Sequence, residues 1–300
     1  MQRECSESGE FSLIRNIERL FCDIVPEGVM GIGDDCAVFE GSDGVATVVT
    51  KDMLLEGVHF TREMTPWEIG VRSVQVNISD VAAMGARPTA LFLGLGVPEG
   101  LPLGWCKEFA EGVRSCGVPL LGGDTTSSRS GVVISVTAMG SVRSTNIKLR
   151  SAAMPSDVIM VTGALGGSAL FGYRKPVEAR VEQGVWLGER SEVHAMMDLS
   201  DGLSGDLPHI LEQSGVGAVV NLDKIPLFTG ATLEQGLSGG EDYELLLTVE
   251  KERAERLKAD YRARFCTELL EVGSITTVMG LEYRECNEVK ELNINGFRHF

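Results

Sequence analysis

Short acidic runs set among glycines recur along this chain, and a fold that gathers them must supply positive charge to hold them. Gly31-Ile32-Gly33-Asp34-Asp35-Cys36-Ala37 is one such run, and Met197-Asp198-Leu199-Ser200-Asp201-Gly202 is another. Asp52, Asp80, the Gly122-Gly123-Asp124 step and Gly239-Gly240-Glu241-Asp242 complete the series. Hard carboxylate oxygens presented from glycine turns are what a multi-Mg²⁺ phosphate site requires, since Mg²⁺ takes one or two carboxylates together with substrate phosphates and water. The G-x-x-x-x-G-K-[ST] spacing of a P-loop is absent from the chain. Polyphosphate chemistry here would therefore draw much of its positive charge from bound metal.

The bulk properties narrow the field. Three hundred residues suffice for one large domain or two ordinary ones with real cores. Hydrophobic residues make up 43% and charged residues 23%, the range of soluble globular proteins. A net charge of −16 disfavours nucleic acid and anionic membrane surfaces as partners. It opposes nucleotides as well unless divalent cations intervene, although acidity by itself also serves solubility. Seven scattered cysteines form no C-x-x-C pair, which reads as reduced thiols in a cytoplasmic protein. Glu4, Glu7 and Glu10 stand where a signal peptide would carry basic residues, and no apolar run reaches the length of a membrane span.

Strand and helix patterns alternate, predicting a mixed α/β protein. Strands are expected at 37–39, 46–50, 90–96, 118–121, 131–139, 158–162 and 243–249, and helices at 67–84, 203–213 and 251–264. In the 67–84 helix, Trp67, Val71, Val74, Ile78 and Val81 form an apolar stripe, beside which Ser73, Asn77 and Asp80 make a polar line. Gly85 is a natural stop. The polar segment 143–155 predicts a boundary between two domains, 1–145 and 146–300.

Each acidic motif has a plainer alternative. Asp34-Asp35 is either a cation site or a solvated turn. Asp52 is either a ligand presented at a strand exit or simply a strand-exit residue. Asp80 on an apolar helix needs a metal or a hydrogen-bond network to offset burial. The glycines before Asp124 would let phosphates approach the backbone. Asp198, Ser200 and Asp201 pack three oxygen donors into four residues, or Ser200-Asp201 caps the following helix. Gly163–Ser168 is only loosely like a phosphate loop. Arg150 is either solvated or set against a nucleotide phosphate, and His59 is either structural or a substrate contact.

With these residues in view, the chain resembles the thiamine-monophosphate kinase family, within the superfamily of aminoimidazole ribonucleotide synthetase and selenophosphate synthetase. The resemblance spans nearly the whole chain, from Gly9-Glu10-Phe11-Ser12-Leu13-Ile14 to Gly296-Phe297-Arg298-His299-Phe300. Its specific runs are Gly33–Ala37, Asn77–Ala86, Gly122–Thr126, Asp198–Leu203 and Ser238–Leu245.

The resemblance implies an aminoimidazole ribonucleotide synthetase-like two-domain fold, with an N-terminal ATP- and Mg²⁺-binding domain that forms a homodimer and a C-terminal α/β domain. It implies ATP-dependent phosphorylation of thiamine monophosphate to thiamine diphosphate with release of ADP, the last step in making that cofactor. It places Asp35, Asp52, Asp80, Asp124, Asp198 and Asp201 on Mg²⁺, Gly123, Asp124, Arg150 and Ser200 on ATP, and His59 and Glu241 on the thiamine phosphate. The acceptor is a phosphate already largely ionised near neutral pH, with a second pKa of about 6, so no general base is expected. The rival readings are another ATP user of the superfamily and a nucleotide-binding protein that has lost turnover. Four departures from the family pattern stand out: Lys51 where threonine or serine is usual, Gly167 where an acid is usual, a shortened stretch after Phe171, and Ile294 near a usual aromatic.

Overall fold

The computed structural model describes residues 10–292 and Gly296, so Ile294 and the residues around it lie outside the described part. The first half runs α1 (Glu10–Phe21), β1 (Val29–Met30), β2 (Ala37–Phe39), β3 (Val45–Leu55), α2 (Pro66–Ala83), β4 (Arg87–Pro98), α3 (Leu103–Ser115), β5 (Leu120–Ser128) and β6 (Val133–Arg143). Its six strands make one sheet in the order β1-β2-β3-β6-β4-β5. Only β4 and β5 pair in parallel, and α3 provides the crossover that a parallel pair needs.

The second half continues with β7 (Val158–Val161), α4 (Gly167–Leu170), α5 (Val181–Gly188), β8 (Val193–Asp198), α6 (Leu203–Ser214), β9 (Gly217–Asn221), α7 (Leu233–Ser238), β10 (Leu245–Val249), α8 (Ala254–Phe265), β11 (Leu270–Thr276), β12 (Gly280–Glu285) and β13 (Glu288–Lys290). Seven strands form the order β13-β12-β9-β11-β7-β10-β8. Strands β7 and β10 are buried along their whole length, in keeping with sequences that are apolar except for the buried Thr248. Among the described residues, no helix is long and apolar enough to cross a membrane.

Helix α2 joins the halves. Thr65 and Glu68 form a capping box, with Glu68 N–H donating to Thr65 Oγ1 at 3.2 Å and Thr65 N–H to Glu68 Oε2 at 2.7 Å. Pro66 sits at the first helical position, where its missing N–H is not needed. The helix packs on the first sheet and α3 on one side, and on α5 and β8 on the other. Close approach depends on glycine. A Cβ on Gly112 would overlap the carbonyl oxygen of Trp67, and one on Gly184 would overlap that of Ala82. Burial on so many sides explains why the expected polar line is also inside: Ser73 and Asn77 are fully buried.

Three local expectations are corrected. Strand β3 does not stop at Thr50 but runs to Leu55, so Asp52 is held within the strand opposite Val136 of β6. The Gly122–Thr126 run is not a turn after a strand; it is the body of β5, in parallel register with Phe92–Gly96. The parallel partner supplies the backbone pairing that outweighs the turn tendency of adjacent glycines. Residues 251–253 form a 3₁₀ turn before α8, shortening the expected surface helix.

Candidate active site

Three carboxylates from distant parts of the chain converge where the halves meet. Asp35 lies just before β2, Asp80 in the last turns of α2, and Asp198 at the carboxyl end of β8. One ligand oxygen from each lies within 4.8 Å of the others. Thr50 Oγ1 donates to Asp80 Oδ2 at 2.6 Å, and Ser79 Oγ donates to Asp198 Oδ2 at 2.5 Å. Arg150 clamps the preceding turn: its guanidinium binds Asp35, and its backbone N–H donates to Asp34 Oδ2 at 3.0 Å. Asp35 Oδ2 remains buried without a hydrogen-bond partner.

Electrostatics set this group apart. Burial, followed by repulsion from Asp35, pushes Asp34 up to about 7 despite Arg150. Asp198 is pushed up to about 8, again by burial and then Asp35, and burial pushes Asp52 up to about 6. Asp80 rises well above the carboxylate range through burial, with Asp52, Asp198 and Asp35 adding to it. Several acids that cannot all ionise together are poised for a cation. The donors are hard oxygens, which suits Mg²⁺, and the unpartnered Asp35 oxygen is the kind of orphan that a ligated ion would satisfy.

A cavity of about 540 Å³ opens beside the cluster, with Asp80 belonging to both. Asp52, Ser200 and Asp201 line it. Asp52 is fixed by its backbone N–H, which donates to Asn77 Oδ1 at 3.0 Å, while Asn77 Nδ2 donates back to the Ser73 carbonyl at 2.9 Å. Asp201 stands at the entry to α6, its backbone N–H donating to the buried Asp206 Oδ2 at 3.0 Å. His59, Glu241, Arg72 and Tyr173 line the cavity as well, and the Glu241 N–H donates to the Ser200 carbonyl at 2.7 Å. The Leu55 N–H donates to His59 Nδ1 at 3.1 Å, which makes Nδ1 an acceptor and leaves Nε2 as the protonated nitrogen of the neutral ring. Arg72, 2% exposed, pairs with Glu241.

The structure thus brings Asp35, Asp80 and Asp198 together, with Asp52, Ser200, Asp201, His59 and Glu241 around the adjoining cavity and Arg150 behind Asp35. It does not bring Gly123 and Asp124 there. Both sit on exposed β5 at the edge of the first sheet. Lys51 is exposed at the cavity rim, on the face of β3 opposite Thr50 and Asp52. In the Gly163–Ser168 loop, the Gly166 and Ser168 N–H donate to Asp242 at 2.6 and 3.0 Å and the Leu165 N–H to the Pro226 carbonyl at 2.7 Å, so these amides are already taken. Asp242, from the Gly240–Tyr243 turn, thereby holds the loop that carries Gly167.

Several participants escape sequence reasoning. Ser79 lies off the polar line of α2, and its hydrogen bond to Asp198 crosses from one half to the other. Asp206 looks like an ordinary first-turn acid of α6 yet is 2% exposed. Arg72 carries the one available signal, a lone arginine next to Val71 and Val74 of the apolar stripe of α2, where an unpaired charge would be costly.

Residues 33–142 match the family AIR synthase related protein, N-terminal domain, and residues 155–283 match AIR synthase related protein, C-terminal domain. The chain is 34% identical to thiamine-monophosphate kinase of Buchnera aphidicola subsp. Acyrthosiphon pisum, covering 91% of this chain and 93% of that protein. It is 32% identical to the Bacillus subtilis thiamine-monophosphate kinase, over 78% of this chain and 82% of that one. Among solved structures, it superposes on AaThiL complexed with AMPPCP and TMP with a TM-score of 0.84, at 29% identity and full coverage of both chains.

Proposed function

The chain belongs to the thiamine-monophosphate kinase family, and from that footing we propose that it transfers the γ-phosphoryl group of ATP to the phosphate of thiamine monophosphate, releasing ADP and thiamine diphosphate. It is a phosphotransferase with a phosphate group as acceptor. The observation that carries the reading is the convergence of Asp35, Asp80 and Asp198, with one buried oxygen unpartnered, beside a cavity that His59 and Glu241 also line. The solved relative that holds an ATP analogue and TMP in the same fold supports it.

Asp35, Asp80 and Asp198 would hold Mg²⁺, with Asp52 and Asp201 completing the set toward the cavity. Bound there, Mg²⁺ supplies charge neutralisation between two phosphate groups and a template for in-line transfer. The protein's own contribution is positioning. Thr50 and Ser79 fix the rotamers of Asp80 and Asp198, and Asn77 fixes the Asp52 backbone. Arg150 holds the Asp34-Asp35 turn, and it and Ser200 at the cavity wall would serve the nucleotide. His59, in the cavity wall, would contact the acceptor phosphate. No group has to remove a proton, because the nucleophilic oxygen belongs to a phosphate with a second pKa of about 6.

A homodimer is part of this reading. Strand β5 is exposed nearly throughout and ends its sheet with an unpaired edge, a surface that natural proteins cover. In such a dimer Gly123 and Asp124 would serve the nucleotide at the subunit boundary. The unbridged cysteines among the described residues fit a cytoplasmic enzyme. The test is chromatographic. Protein, ATP, Mg²⁺ and thiamine monophosphate should yield thiamine diphosphate, while free thiamine yields none. No diphosphate from the monophosphate overturns the assignment.

A further inference from the structure

One guanidinium organises part of the cavity wall. Arg72 Nη1 donates to the Tyr173 carbonyl at 3.2 Å, and Nη2 donates to Glu241 Oε2. Both partners hold left-handed backbone conformations that side-chain-bearing residues rarely adopt, with φ of +61° at Tyr173 and +56° at Glu241. The same cation therefore secures two strained residues, one on the connection after α4 and one before β10.

Other contacts reinforce the placement of Tyr173. Its N–H donates to the Ser168 carbonyl at 2.8 Å, and the next residue, Arg174, pairs with Glu63 on the β3–α2 connection at 2.6 Å. Tyr173 is 40% exposed and lines the cavity. Burial, then the Glu241 and Asp242 carboxylates, push its phenol up from the usual value. An aromatic side chain held beside a carboxylate, in the wall of a cavity that adjoins the acidic cluster, suits a planar cation. Thiamine carries such a cation permanently in its thiazolium ring.

We propose that Tyr173 is the specificity-determining wall of the acceptor site, taking the positively charged ring of thiamine monophosphate against its face beside Glu241, and that Arg72 is the positioning residue that presents both. The proposal rests on the kinase reading above and adds the recognition of the organic part. Phosphoryl transfer itself does not pass through either residue, so their loss should appear in acceptor binding.

The experiment compares wild type with Tyr173→Phe, Tyr173→Leu, Tyr173→Gln and Arg72→Lys, using thiamine monophosphate and an analogue whose five-membered ring is uncharged. Melting curves and the KM for ATP report on folding in each variant. Tyr173→Phe should stay within about twofold of wild type, because the ring face is kept. Tyr173→Leu and Tyr173→Gln should raise the KM for thiamine monophosphate by about tenfold, with kcat and the KM for ATP changed by less than about twofold. The same substitutions should raise the KM of the uncharged analogue by less than about threefold. Arg72→Lys, which cannot span both partners, should raise the KM for thiamine monophosphate more than it lowers kcat. An unchanged KM in both non-aromatic variants, or an equal rise for charged and uncharged acceptors, overturns the proposal. Absence of product from wild type would instead overturn the kinase reading, so the two failures are distinct.

Discussion

Ser79 Oγ donates to Asp198 Oδ2 across a 2.5 Å hydrogen bond, linking helix α2 of the first half to the end of β8 in the second. Ser79 is fully buried and Asp198 is 2% exposed, so neither finds water as a substitute partner. The bond therefore orients a candidate metal ligand and also couples the two halves at the site.

Ser79→Ala should weaken activity through the metal. Losing a partner that orients a ligand typically costs about 10–100-fold in metal affinity or rate. We expect the Mg²⁺ concentration giving half-maximal rate to rise by roughly tenfold, with recovery of turnover at high Mg²⁺. A Mg²⁺ titration of initial rate checks this. An unchanged half-saturation point would show that the hydroxyl does not tune the ligand.

Asp80→Asn and Asp201→Asn should each lower turnover by more than about 100-fold with the fold preserved, because each removes one charge from the set facing the phosphates. The two should differ in chelator. Asp80 is crowded by Asp52, Asp198 and Asp35, so a neutral amide there relieves repulsion. In the presence of EDTA, Asp80→Asn should melt higher than wild type, by about 2–4 °C for each kcal/mol relieved. Added Mg²⁺ should reverse the order. Thermal melts with and without Mg²⁺ decide the point.

The parts of the site that sequence makes visible are those where a residue contradicts its local surroundings. Asp80 interrupts an apolar helix, and Asp34-Asp35 places like charges side by side. Each conflict signals a partner. What stays hidden is the partner's identity. Nothing in the local pattern around Arg72 points to Glu241, and nothing around Ser79 points to Asp198, because only the packing of α2 between the halves brings them together. The Gly122–Thr126 run misleads for a related reason. Paired glycines signal a turn locally, yet Gly123 lies in a strand where a Cβ would overlap the Leu93 carbonyl oxygen of β4. Glycine is there for close approach of two strands.

Arg180 and Glu244 give a stability prediction away from the phosphates. Arg180 Nη2 donates to Glu244 Oε1 at 2.6 Å and Nε to Oε2 at 2.9 Å, while Thr162 Oγ1 donates to Oε2 at 2.7 Å. The Glu244 side chain is 4% exposed. Arg180→Met would leave that carboxylate buried without its cation and should destabilise the protein by about 3 kcal/mol. Combining it with Glu244→Gln should recover part of the loss, since the stranded charge is removed. Urea unfolding of the single and double variants measures the coupling, and strict additivity would show the pair to be energetically idle.

His209 on α6 gives the pH dependence. Burial, then the positive charges of Arg150 and Arg15, lower its pKa from 6.5 to about 4. The folded state therefore resists protonation that the unfolded chain accepts. Between those two values the unfolded state binds more protons, so this group's contribution favours folding at pH 7 and is lost as pH falls from 6.5 toward 4. His209→Gln removes that liability without adding a titrating group. Relative to its difference from wild type at pH 7.5, the variant should gain about 2 kcal/mol at pH 5, as the shift in pKa implies. Comparing the two proteins at each pH cancels the opposing titration of the buried carboxylates, which both share. Paired denaturant melts at the two pH values read the difference directly, and a gap that does not move with pH would mean His209 ionises as freely in the folded protein as in the unfolded chain.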